Sequence, residues 1–350
     1  MTLDPVFRSR EAVRQIKEDG FLDRMDESLA AHRETLAYVH GLMPEIIDRR
    51  FLSPAPPEEG VSLELLQNHF FLILFHSIFK SLGTSAERLR FYARLNLCIK
   101  GTVTAGDNLF DDEGKSLLPL ELGGAGHRFG SILQLLCFDR LSARVYRAAI
   151  GEGWLTRTAA DAMDKGLLDR LAAIGTLEGQ EEGGVDEVLT VDDMIARVHR
   201  VRGGSLFSLA FIAPEVIETG ALRERFVAAE RAISDLGTAF QIVDDLTDFE
   251  FDLTRRSHNI LTAAAYHSDD ERVRAAIRDL LKGKRPEPNL VETVFARPAK
   301  AVLDRARGLG RSAFEQLQAL GFWFPPERSD TLIHSIVGIE GVARMESLTS

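Results

Sequence analysis

The chain has 350 residues, 45% of them hydrophobic and 27% charged, with a formal net charge of −11. That acidic balance provides no basic stripe to neutralise a phosphate backbone, which argues against a nucleic-acid partner. The apolar fraction suits a globular chain with a substantial core, and no composition break or fixed-period repeat divides residues 1–350 into more than one domain.

No basic region followed by an apolar run opens the sequence, so no signal peptide is expected. The most hydrophobic window, His69 to Phe79, is too short and too interrupted to cross a bilayer. A cytoplasmic protein without a transmembrane segment is the expectation. Cys98 and Cys137 each lie in an apolar helical pattern, with no spacing that suggests metal or disulfide, and are expected to be buried thiols of a reducing compartment.

Almost every segment has helical periodicity, and no alternating strand pattern is found. The first helices are expected from Asp4-Pro5, an N-cap followed by proline at N1, to Arg50. The prolines of Ser53 to Gly60 mark a surface loop. A helix over Leu63 to Leu82 follows, and Thr84 to Glu87 has capping-box spacing for the next. That next helix runs into Asp107-Asn108-Leu109-Phe110-Asp111-Asp112-Glu113, where Asp107 and Asp111 stand at i and i+4 beside the Asn108 and Asp112 pair. Acid at a helix C-terminus opposes the helix dipole, which invites a functional explanation.

After the glycine-rich Gly123 to Gly126, helices are expected at 127–149 and 154–175. Leu177 to Gly184 breaks the pattern, and Thr190 to Asp193 has the spacing to restart it. The following helix contains Arg202-Gly203-Gly204, and glycine pairs in a helix interior mark close approach of another backbone or a ligand.

The segment from Gly237 to Asp252 reads as one helix, apolar up to Val243 and acidic beyond it. Asp244, Asp248 and Asp252 fall at i, i+4 and i+8, a slowly drifting stripe of like charges that repel unless something positive sits over them. All-oxygen ligands with no interleaved His or Cys suit a hard ion such as Mg2+. Beyond a loop at Lys282 to Asn289, amphipathic helices complete the chain.

These residues resemble the trans-polyprenyl synthase family of class I isoprenoid synthases. Phe240-Gln241 through Asp244-Asp245 to Asp248 is similar to that family's second aspartate-rich motif, FQxxDDxxD, in full. Asp107-Asn108-Leu109-Phe110-Asp111 resembles the first, DDxxD, with asparagine in second place. Gly179-Gln180 resembles the pair before the family's lysine helix, and Arg202 to Phe207 resembles the K-T-G-x-L-F of that helix, with arginine for lysine.

The resemblance implies an all-α isoprenoid synthase bundle around a central active-site cavity. It implies three Mg2+ ions held by Asp107, Asn108, Asp111, Asp112, Asp244, Asp245, Asp248 and Asp252. The ions would bind an allylic prenyl diphosphate and stabilise the departing pyrophosphate. On this reading Arg202 and Lys115 contact diphosphate, Gln241 orients a metal-bound water or helps quench a proton, and Arg255 and Arg256 either reach the same diphosphate or pair with Asp252 and Asp248. Residues four and five before the first motif gate chain length in the family; Val103 and Thr102 stand there, so no short cutoff is expected.

Two departures concern the acceptor, isopentenyl diphosphate. No GKxxR precedes residue 80, where Arg49-Arg50 is only a loose positional substitute, and a single lysine, Lys115, follows the first motif where the family has an arginine pair. Three activities stay open: a prenyltransferase with an atypical acceptor site, a lyase that cyclises or eliminates a prenyl diphosphate, and a non-catalytic partner subunit. The resemblance also implies a homodimer.

Overall fold

A computed structural model describes residues 13–14, 20–54, 62–124, 126–336, 343–344 and 346–348. The expected helix start at Asp4-Pro5 and most of the proline loop, 55–60, lie outside the described residues. The expected all-α architecture is what the chain adopts. The long helices are α1 (Phe21–Leu42), α2 (Ser62–Ser81), α3 (Ala86–Asp111), α4 (His127–Gly151), α5 (Arg157–Gly179), α6 (Gly220–Thr247), α7 (Phe249–Arg255), α8 (Ile260–Tyr266), α9 (Glu271–Leu281), α10 (Ala296–Ala319) and α11 (Ser329–Ile336). Between α5 and α6 the chain passes through short helical pieces and a π-helical stretch, Met194–Gly204. Among the described residues the only β pairing is an isolated antiparallel bridge between Leu52 and Leu120. No described helix is long and apolar enough to cross a membrane.

The chain divides into two compact units, one of residues 1–6, 13–165 and 210–226, the other of 7–12, 166–209 and 227–350. In the first unit α3 packs on α4 at Gly101, where any Cβ would collide with the Phe138 ring. Around this contact Val39, Met43, Leu97, Cys98, Cys137, Phe138 and Leu141 form one buried cluster. Both cysteines are free and buried, and burial pushes the Cys98 thiol up to about 12. Phe79 packs edge-on against Tyr92, Phe211 and Phe226. This part of the phenylalanine-rich window is therefore core, each such side chain stabilising the fold by about 1.5–3 kcal/mol. Beside it the buried Glu218 accepts from Tyr92 Oη at 2.6 Å and pairs with Arg88.

The helix after Leu82 is capped by Ser85, whose Oγ accepts from the Arg88 N–H, and not by Thr84. Thr84 is buried beneath that turn and is not positioned to cap it. The restart at Thr190 is as expected, with its Oγ1 accepting from the Asp193 N–H at 3.2 Å. In α2 the helix kinks at His69 (φ −130°, ψ 25°), setting its ring 4.5 Å from that of His32. Burial, Lys100 and His40 lower His69 to about 4, so this buried imidazole adds no positive charge at neutral pH.

In the second unit the glycines at 203 and 204 do mark a close backbone approach. The π-helical stretch crosses α6 at Gly237, so near that a Cβ on Gly203 or Gly237 would strike the carbonyl of the other. Phe207 and Phe240 pack just beyond, ring centroids 5.4 Å apart. Phe314 on α10 stacks on Phe322 and meets Phe324 at a tilt, ring centroids 4.5 Å apart.

Candidate functional site

The first acid motif sits where α3 ends, and it is not a uniform acidic face. Asp107 is exposed, whereas Asn108 is fully buried. The Asn108 amide donates to the Lys115 carbonyl at 2.7 Å and to Ser131 Oγ at 3.1 Å, while its Oδ1 accepts from the Lys115 N–H at 3.1 Å. Gln134 reinforces the same loop through the Lys115 carbonyl and the Leu117 N–H. Asn108 is therefore a loop clasp, with both its amide nitrogen and its Oδ1 engaged by the Lys115 loop and Ser131.

Asp111 is the last residue of α3, and its side chain lies outside what is described. Asp112 follows in the left-handed region (φ 58°), which turns it out of the helix line toward His127 and Arg128, both at 2.9 Å. Those hydrogen bonds, His127 first and then Arg128, hold its carboxyl below the usual range. Asp112 is thus committed to the start of α4 and is not aligned with Asp107. Lys115 pairs with Glu113 at 2.5 Å. Lys100, two turns before Asp107 and not singled out in the sequence, keeps much of its surface open to solvent. It nevertheless sits among enough protein to push its ammonium down, with Asp107 opposing the shift and Lys115 adding to it.

The second motif departs from the expected continuous helix. α6 stops at Thr247, Asp248 (φ −98°, ψ 13°) stands alone, and α7 starts at Phe249. Asp244 and Asp248 are exposed, and Asp252 is half-buried. Asp245 is buried, its Oδ2 accepting from His199 Nε2 at 2.9 Å and from the Ile260 N–H at 2.7 Å. It ties the π-helical stretch and α8 to α6. The Gln241 amide leans on Asp244 and Asp245 at 3.3 and 3.4 Å.

Asp252 accepts from Asn259 Nδ2 at 2.8 Å. Its carboxyl is raised to about 8, first by burial and then by the charge of Asp245, with Asp248 and Asp244 adding to the shift against the Asn259 bond. Like charges are thus gathered around Asp252, and the donors are all oxygen, which fits Mg2+. Among the described residues no three His, Cys, Asp or Glu side chains are drawn together as a ready-made cage. The donor set therefore suits an ion that keeps several waters and is shared with phosphate.

A pH dependence follows from Asp252. Between the unfolded carboxyl value near 4 and about 8, the folded chain keeps a proton that the unfolded chain releases, so stability falls as pH rises across that window. In chelator, the urea midpoint is expected to fall between pH 6 and 8 by the equivalent of about 1–2 kcal/mol, and millimolar Mg2+ to restore it.

Three cations take unexpected partners. Arg202 is largely buried and ion-paired with Glu178 at 3.2 Å and Glu181 at 2.7 Å. Arg256, in the left-handed region (φ 57°), pairs with Asp186 at 2.6 Å and with neither Asp248 nor Asp252. Arg255 lies over the Phe251 ring at 5.2 Å. A cavity of about 390 Å³ opens beside this region, lined among others by Val185, His258, Asn259, Tyr266 and Arg278, and none of the acid-motif carboxylates lines it.

Sequence reading missed His199, Glu181, Asn259 and Arg344. Of these only Asn259 carried a local signal, standing as an N-cap before an apolar helix: its Oδ1 accepts from the Leu261 and Thr262 N–H groups.

No protein-family model matches the sequence, and no curated protein matches it. Solved structures do. Octaprenyl pyrophosphate synthase from Helicobacter pylori is similar with a TM-score of 0.59 at 12% identity, over 88% of this chain and 98% of that one. A decaprenyl diphosphate synthase from Rhodobacter capsulatus gives 0.56 at 20% identity, over 91% and 100%. A polyprenyl synthase from Caulobacter crescentus complexed with calcium and isoprenyl diphosphate gives 0.54 at 14% identity, over 94% and 98%. With the helices in this order and the match running nearly end to end, the chain has the all-α fold of the polyprenyl diphosphate synthases.

Proposed function

We propose that the chain is a Mg2+-dependent prenyltransferase that ionises an allylic prenyl diphosphate and joins the allylic group to isopentenyl diphosphate at an atypical acceptor site. The observation that carries this reading is the gathering of Asp244, Asp245, Asp248 and Asp252 about one helix break, close enough for the other three to raise the carboxyl of Asp252. Asp107, Asp111, Asp244 and Asp248 are the proposed ligands, with Asp252 as a reserve carboxylate that loses its proton when positive charge arrives. Bound Mg2+ supplies electrostatic stabilisation of the leaving pyrophosphate. Gln241 keeps Asp244 oriented by its amide, and Lys100 and Lys115 are the lysines whose charge is felt near Asp107.

A lyase reading is favoured by a separate observation: Lys115, the single lysine that follows the first motif where the family has an arginine pair for the acceptor, is paired with Glu113. One assay separates the readings. Purified protein with Mg2+ and farnesyl or geranyl diphosphate is analysed by mass spectrometry, with and without isopentenyl diphosphate. Longer diphosphates that depend on the acceptor support the transferase; hydrocarbon or alcohol formed without it supports the lyase; no product in either condition removes both.

A homodimer is also proposed. Phe129, Ile132 and Leu136 recur on one face of α4 and are 55%, 46% and 58% exposed, an apolar stripe that a second copy would cover. Light scattering at micromolar concentration is expected to give twice the chain mass; a monomer would remove this part of the proposal.

A further inference from the structure

The break between α6 and α7 interrupts the acid stripe, and its backbone bonds are fully accounted for. A helix that stops leaves its last four carbonyls without helical partners. The Asp244 carbonyl accepts from the Asp248 N–H at 2.9 Å and from Thr247 Oγ1 at 2.8 Å. The Asp245 carbonyl accepts from Asn259 Nδ2 at 2.7 Å. Those of Leu246 and Thr247 both accept from Arg344 Nη1, at 2.8 and 3.2 Å.

Neither side chain stops there. Asn259 Nδ2 reaches on to Asp252, while Arg344 forks over Glu250 at 3.0 and 2.8 Å and donates through Nε to Glu292 at 2.9 Å. Arg344 comes from far along the chain, and its guanidinium is largely buried. A planar fork of fixed donors suits this task, because it can bridge two carbonyls and a carboxylate at once.

We propose that Asn259 and Arg344 are positioning residues for the second acid motif, holding the break so that Asp248 points to solvent while Asp252 is drawn inward. The proposal rests on the metal-binding reading above. Without the break, α6 would continue as a straight helix with Asp244, Asp248 and Asp252 along one face, repelling one another at every turn. With it, the stripe is divided between an outer pair and an inner carboxyl.

The test uses the full chain with Arg344→Gln, Arg344→Lys and Asn259→Ser, the last keeping an acceptor for the α8 cap while removing the amide donor. Far-UV circular dichroism checks the fold, hydrogen exchange reads amides 246–256, and Mn2+ titration without substrate reads the metal site. Arg344→Gln and Asn259→Ser are expected to retain helicity, to exchange faster across the break and to bind Mn2+ about tenfold more weakly, with Arg344→Lys intermediate. Wild-type exchange in both variants overturns the proposal, as does faster exchange with unchanged Mn2+ affinity. If the wild type itself binds no Mn2+, the metal reading and the positioning role fall together, whereas a binding wild type with indifferent variants removes the positioning role alone.

Discussion

Asp244→Ala is expected to reduce turnover by roughly 10³-fold or more, equivalent to about 4 kcal/mol of transition-state stabilisation, while leaving helical content nearly unchanged. The carboxylate is exposed near the end of α6, and its side chain meets the Gln241 amide, so removing it costs the fold little. It also relieves like-charge crowding, since Asp244 is one of the charges that raise Asp252. The same substitution should therefore slightly stabilise the metal-free protein while abolishing the reaction, a combination that damage to the core would not give. Asp107→Ala is expected to lose turnover to the same degree, without the gain in metal-free stability, since its charge favours the ammonium of Lys100. Near-normal turnover in either variant, measured by pyrophosphate release, would remove these residues from the proposed ligand set.

The opposite outcome is expected of Asn108→Asp, which would make the first motif read as an unbroken DDxxD. Asn108 is wholly buried, and its amide donates to the Lys115 carbonyl and to Ser131 Oγ. Ser131 spends its own hydroxyl hydrogen on the His127 carbonyl, so it can only accept from residue 108. A carboxylate there would face two acceptors with no proton to offer, at a cost of about 3 kcal/mol, or would take up a proton to regain one donor. The urea midpoint of the variant is expected to fall at pH 7 and to recover partly at pH 5. The sign is fixed by the raised folded-state pKa of a buried carboxyl, whose favourable protonated form is lost as pH rises. An Asn108→Asp variant as stable as the wild type at pH 7 would show that the amide does not clasp this loop.

These residues also show what the sequence disclosed. Helical periodicity placed the long helices, and the Gly203-Gly204 pair disclosed a backbone crossing, because both signals are local and carried by residue type. The break at Asp248 escaped, since the i, i+4 spacing of acids is unchanged by a helix that stops between them; the causes, Asn259 and Arg344, act from elsewhere in the chain. Asn108 and Asp245 read as polar members of exposed motifs, yet each is buried because it has distant partners, Lys115 and Ser131 for one, His199 and the Ile260 N–H for the other. Arg202 reads as a diphosphate contact through its place in the lysine-helix resemblance, whereas Glu178 and Glu181, the acids that hold it, flank Gly179-Gln180 and carry no signal of their own.

The meeting of Gly203 with Gly237 sets a limit on how this chain can drift. Contacts made by side chains can be rebuilt when a larger residue is exchanged for a smaller one across the gap, but here hydrogen alone separates two main chains. A side chain at either position would be forced into a peptide oxygen, so the crossing that sets His199 on Asp245 tolerates only glycine at 203 and 237. A joint of this kind can keep its geometry while the surrounding text is rewritten, which suits a fold shared with proteins of 12–20% identity.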